Sequence, residues 1–197
     1  TLIALTLLIA LIPFAAHAAT PEFWVPSLNT TPTIDAKWIG NEWDDAPEYT
    51  VTGTGGTSYV RFKYGGGFLY IIVDSPWDTT LNSGLYDSEN TFIAFDVAHD
   101  AGSAPRTDDW IFDGVYSSPR DAGQAWNGTG SGWQGDGWNP DALHLTLGYD
   151  GESSSRTSVG GPGLQPSPHS ATPHRITEFK VPLQLAVSGT VAGFWMM

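Results

Sequence analysis

Residues 57–74 constrain the fold more than any other part of this 197-residue chain. In Thr57-Ser-Tyr-Val-Arg-Phe-Lys-Tyr64, polar and apolar side chains alternate at period two; three glycines follow at 65 to 67, and Phe68-Leu-Tyr-Ile-Ile-Val-Asp74 is apolar almost throughout. Alternation belongs to a half-exposed strand and an unbroken apolar run to a central one, so the glycines read as the turn of a hairpin. The pattern continues along the chain as short β-branched and aromatic runs broken by Gly clusters, with no sustained helical periodicity. Runs at 48–52, 90–97, 110–116, 143–149, 175–181 and 190–196 bring the total to about eight strands, a number that suits a sandwich or jelly roll. The expected fold is all-β: a two-sheet antiparallel β-sandwich of jelly-roll or immunoglobulin-like type, with its last strands beyond Met197.

Two long stretches separate the later runs. Residues 117–140 hold three Trp among Gly, Asn and Asp, and 151–173 is rich in Ser, Gly and Pro; loops of such length are functional or mobile. Residues 1–18 carry no charge, are mostly Leu, Ile and Ala, and end in Ala16-His17-Ala18. That is the apolar core and small-x-small site of a signal peptide whose basic start precedes Thr1. A retained membrane anchor is the rival reading, against which stand the shortness of the run and Pro13. The domain is expected to be secreted or at the cell surface, with no membrane insertion after cleavage. Residues 19–33 read as a Pro- and Thr-rich linker, and 34–197 as one sandwich domain, C-terminally incomplete.

Twenty-one acidic against eight basic residues give a net charge of −13. No basic face is left to neutralise phosphates, which argues against nucleic acid and anionic lipid as partners. The absence of Cys removes disulfides, thiolate nucleophiles and Cys-based zinc sites together. Such an exported domain relies on its core or on bound ions.

Residues 34–46, Ile-Asp-Ala-Lys-Trp-Ile-Gly-Asn-Glu-Trp-Asp-Asp-Ala, carry an Asp turn, a Glu-Trp pair and a small Ala before the first strand. This order resembles the opening of the family 9 carbohydrate-binding module and its DOMON-like β-sandwich relatives, which runs Ile-Asp-Gly, a few residues, Glu-Trp, then Ala. Later landmarks follow in the same order. Tyr59 to Lys63 with Leu69-Tyr-Ile71 is similar to the family's hairpin, 87–96 to its strand ending in Asp, and Asp108-Asp-Trp-Ile-Phe112 to its acidic turn. Ile176-Thr-Glu-Phe-Lys-Val-Pro-Leu183 resembles the amphipathic strand carrying Glu, and Val191-Ala-Gly-Phe194 the Ile-Gly-Phe strand. The resemblance implies sugar binding by two aromatic side chains that clamp a pyranose. It puts Tyr86 at the first clamp position and the second beyond Met197. The polar residues the family carries on the two strands after Tyr86 are here Phe92 and Asp113. Structural calcium, common in the family, is implied as well.

Aromatic rings hold sugars because the C–H face of a pyranose is apolar and slightly positive, matching the negative face of a π system. Of nine Trp, Trp43, Trp110 and Trp195 fall in strand or opening patterns and read as core. Trp126, Trp133 and Trp138 lie in 117–140 beside Asn127, Gln134, Asp136 and Asn139, side chains suited to hydroxyls. A loop folded over its own Trp side chains is the competing reading. Trp77, after Asp74-Ser-Pro76, is a rim candidate. The candidate carbohydrate-binding residues are thus Tyr86, Trp77, Trp126, Trp133, Trp138 and Glu178. Asp96, Asp100, Asp108 and Asp109 offer hard oxygens around one turn, a candidate calcium site, because calcium takes six to eight oxygens in flexible geometry; a solvated acidic loop competes.

Catalysis has little support. Glycoside hydrolysis needs two carboxylates across a scissile bond, but Asp87, Glu89 and Glu178 form no Glu-x-Asp-x-x-Glu strand, and no Ser-His-Asp elbow is present. A haem-binding relative of the sandwich would want axial His or Met; His99 and His144 are present, but no Met precedes Met196. The expected function is non-catalytic binding of an oligo- or polysaccharide, within a larger secreted protein such as a glycoside hydrolase. The alternative is a cell-surface structural or adhesion domain that binds no free sugar.

Overall fold

The structure, a computed structural model, describes residues 24–80, 89–100, 103–116, 122–135, 146–148, 164–189 and 192–196. These form strands β1 (Glu48–Thr52), β2 (Thr57–Gly65), β3 (Phe68–Ser75), β4 (Glu89–Asp96), β5 (Trp110–Tyr116), β6 (Ala122–Gly128), β7 (Trp133–Gly135), β8 (Thr146–Gly148), β9 (Leu164–Ser167), β10 (Ser170–Pro182) and β11 (Gly193–Met196). A single 3-10 turn, Leu183–Leu185, is the only helical element among the described residues. One sheet runs β1-β2-β3-β10-β8, with β9 also on β10; the other runs β11-β4-β5-β6-β7. All pairings between these strands are antiparallel. The protein is an all-β two-sheet sandwich.

The hairpin reads as expected. Gly66 and Gly67, at φ 59° and 85°, turn β2 into β3 with the positive dihedrals that a two-residue loop demands. Every second residue of each strand then faces the other sheet. Val60, Phe62, Leu69, Ile71, Val73, Phe179 and Val181 meet Ile93, Phe95, Phe112 and Ala125 in one core. Inside it Thr91 and Thr177 join the sheets by a 3.1 Å hydroxyl bond.

The outer face of the six-stranded sheet is covered too. A strap, residues 24–47, lies over it, and Trp43 and Ala46 pack with Tyr70, Ile72 and Ile176 in a second core. Burial on both faces is why β3 is apolar along its length. β2 departs from its expected half exposure, because its outward side chains meet the strap rather than water. Lys63 is fully buried: Nζ donates to the Thr30 carbonyl (2.6 Å), the Glu42 carbonyl and Asp45 Oδ1 (2.8 Å), and stands 5.1 Å from the centre of the Trp43 ring. Arg61 donates Nη1 to the Trp43 carbonyl (2.7 Å) and lies 4.8 Å over the Trp38 ring. Part of the expected linker is structured: Leu28 N and Tyr64 N exchange bonds with Tyr64 O and Pro26 O, a parallel bridge on the edge of β2.

Two further expectations are corrected. Residues 117–140 were expected as a loop but contribute β6 and β7. Ala-Gly-Gln-Ala-Trp-Asn-Gly has little strand propensity of its own, and its place comes from full register with β5. β10 begins at Ser170, earlier than the apolar run suggests, because its polar first residues pair with β9.

Candidate functional site

The outer face of the five-stranded sheet carries an aromatic and acidic cluster that is largely buried, with Asp113 2% and Ile111 8% exposed. Because Ile93, Phe112 and Ala125 point into the core, their neighbours Phe92, Asp113 and Trp126 point outward. Phe92 pairs with Asp113 across β4 and β5, and Trp126 sits one row further along on β6. Trp133 faces outward on β7, opposite Gly128, and is 36% exposed. The Phe92 and Trp126 rings are 6.0 Å apart and tilted by 34°. Gly128 closes the end of this face, since a Cβ there would stand 1.9 Å from the Arg106 carbonyl of the β4–β5 loop.

Asp113 is the unusual member. It is 2% exposed, its Oδ1 has no hydrogen-bond partner among the described residues, and burial pushes its pKa up to about 8. Buried carboxyl oxygens without partners are rare in folded proteins and mark sites that something else completes. Beside two aromatic rings, Asp113 is at neutral pH mostly an uncharged carboxylic acid, able both to donate and to accept.

The structure brings only some of the predicted residues together. Trp126 and Trp133 share the face just described. Tyr86 and Trp138 lie outside the described residues. Trp77 belongs to the other sheet, at the end of β3: it is 49% exposed, lies on the backbone of Gly55 and Gly56, and donates Nε1 to Ser58 Oγ at 3.1 Å. Glu178 is fully buried beneath the strap. Its Oε2 accepts the Asp35 and Ala36 N–H groups, both at 2.8 Å, and its Oε1 accepts Trp43 Nε1 at 3.0 Å. Ala36 adopts φ 55°, and this left-handed step aims two successive N–H groups at one oxygen. Burial still dominates and raises the Glu178 pKa to about 8. Phe92 and Asp113 carried no site signal in the sequence except as departures from the family's polar positions.

Three of the four aspartates of the β4–β5 region bond within their own loop. Asp96 Oδ1 accepts Asp100 N (3.1 Å), Asp100 Oδ2 pairs with Arg106 Nη1 (3.0 Å), and Asp109 Oδ2 accepts Arg106 N (2.6 Å). Burial, then the nearness of Asp96 and Asp108, raises the pKa of Asp109. Among the described residues no group of three or more His or acidic side chains is placed to hold a metal ion. Asp109 Oδ1 is buried and makes no hydrogen bond among the described residues. A melting temperature that falls with EDTA and recovers with added calcium would assign an ion to this loop; an unchanged one would leave the aspartates to the loop's own bonds.

No family model, curated protein or solved structure matches this chain.

Proposed function

We propose that this chain is a non-catalytic glycan-binding domain, similar to family 9 carbohydrate-binding modules, that takes a neutral sugar on the outer face of its five-stranded sheet. The ring stacks on Trp126, flanked by Phe92 and Trp133. One observation carries the reading: Trp126 lies beside Phe92 on an outward sheet face that ends in a 36% exposed Trp133, an apolar platform of the kind a pyranose stacks on. The net charge of −13 disfavours acidic polysaccharides. Export through the apolar segment 1–18 fits an extracellular polysaccharide as ligand.

Affinity electrophoresis and isothermal titration against cellulose, xylan and simple glucosides test this. Trp126→Ala is expected to weaken binding about tenfold or more, roughly 1.4 kcal/mol, with the melting temperature little changed. Unaltered affinity in Trp126→Ala and Trp133→Ala would place the site elsewhere. Failure of the full chain to bind any glycan would leave the structural or adhesion role.

A further inference from the structure

Trp77, just beyond the end of β3, is laid on bare backbone. A Cβ on Gly55 would stand 2.6, 2.8 and 2.9 Å from Cζ3, Cη2 and Cε3 of the indole, and one on Gly56 would stand 2.6, 2.6 and 2.8 Å from Cβ, Cγ and Cδ1. Near-equal distances to consecutive atoms of the indole plane put both points over the face of the ring rather than off its edge. The indole therefore rests flat on the β1–β2 turn, and a side chain at either glycine would lift it. At 49% exposure its other face is open. Nε1 donates to Ser58 Oγ at 3.1 Å, and that oxygen lies 2.8 Å from Ser75 Oγ, so the orientation of the ring is set before any ligand arrives.

The flanks of this ring are hydroxylated rather than apolar. Thr54 and Thr57 stand on either side of the two glycines, and Asp78 and Thr79 follow the indole; all four are exposed or half-buried. Thr57 shares a 3.0 Å hydroxyl bond with Thr52, and Asp78 Oδ2 accepts Arg175 Nε at 3.1 Å. A protein partner would bury a contiguous apolar centre, and beyond the half-buried Pro76 these flanks offer none. A pyranose asks for less: one aromatic face to receive its C–H groups, and polar groups at the rim for its hydroxyls. A ring already fixed by Ser58 and seated on backbone loses little freedom when a sugar lands on it.

We propose that Trp77 is a second, separate glycan platform: a neutral pyranose stacks on the open face of its indole, at the end of the six-stranded sheet, while the Trp126 face lies on the other sheet. The proposal rests on the glycan-binding reading above. With one ring in place of three aromatic side chains, this platform is the weaker of the two.

Titration of the full chain with cellotetraose, xylotetraose and mannotetraose, followed through the indole N–H signals in two-dimensional NMR, tests it. The Trp77 signal is the one that Trp77→Phe lacks, and sequential assignment identifies it if that variant does not fold. It is expected to shift with at least one of these sugars, and to shift equally in Trp126→Ala, where the first platform is gone. Gly55→Ala fills the seat without touching the indole, and is expected to raise the dissociation constant read at Trp77 about tenfold or more while leaving the one read at Trp126 unchanged. If Gly55→Ala does not fold, the comparison of the parent with Trp126→Ala decides alone. A Trp77 signal that stays still while Trp126 responds would overturn the second platform and leave the first. A Trp77 shift that disappears in Trp126→Ala would overturn its independence. Silence at both would remove the glycan reading, and this platform with it.

Discussion

Replacing Lys63 with Ala is expected to lower the folding free energy by about 3–5 kcal/mol, the range for stripping one partner from a buried ion pair. A urea titration followed by far-UV circular dichroism reads this as a shift in midpoint. The cost arises because Lys63 Nζ is the donor for Asp45 Oδ1 and for the Thr30 and Glu42 carbonyls at once, all beneath the strap. Burial alone would raise the pKa of Asp45, but bonds from Lys63, Asn29 and Thr30 outweigh it and hold the carboxyl below its ordinary value. Without the ammonium, Asp45 is left as a half-buried charge with only the two backbone N–H groups that reach its other oxygen. Lys63→Met combined with Asp45→Asn removes both charges while keeping the stem over Trp43, and is expected to regain much of the loss. A Lys63→Ala protein within about 1 kcal/mol of the parent would show that the strap is not anchored here.

Stability is expected to fall as pH rises from 5 to 8, the reverse of the usual acid sensitivity. Burial raises both Asp113 and Glu178 to about 8, while an unfolded carboxyl titrates near 4. Between those values the native state holds protons that the unfolded chain has released. Each such group makes unfolding easier by up to about 1.4 kcal/mol per pH unit, levelling above pH 8. Asp45 acts in the opposite sense: its contribution, present above the unfolded value, is lost as pH falls through its lowered folded pKa. Maximum stability is thus expected in mildly acid solution. Asp113→Asn, which removes the proton without changing shape, is expected to cut the slope by about half. Melting temperatures between pH 4.5 and 9 decide it, and a profile that is flat or rises from pH 5 to 8 would contradict the burial of both groups.

What the sequence disclosed follows from how far each cause reaches along the chain. The β2–β3 hairpin was legible because apolar runs and glycines are local signals. β6 and β7 were not, since Ala125 and Gly128 become strand residues only through register with β5 and the close approach of Arg106. Lys63 looked solvent-facing because period-two alternation is the same whether a polar face meets water or the carbonyls of a strap. Glu178 stood out as a lone carboxylate on an amphipathic strand, but its donors at Asp35, Ala36 and Trp43 are remote, and no local pattern reports them. Trp126 and Trp133 were singled out as loop residues, whereas both lie on strands. Phe92 and Asp113 complete that face through strand alternation alone, visible only once the neighbouring strands are aligned.

The strap also imposes an order of events on folding. Its bond from Asp35 to Glu178 spans 143 residues, whereas its contact from Thr30 to Lys63 spans 33. A chain that emerges N-terminus first has the Lys63 anchor early and lacks the Glu178 anchor until β10 follows. Closing such a distant pair is slow. Until then the outer surface of β3, with Tyr70 and Ile72, is only partly sheltered, and that interval is the one in which a chaperone or a self-associating neighbour competes for it.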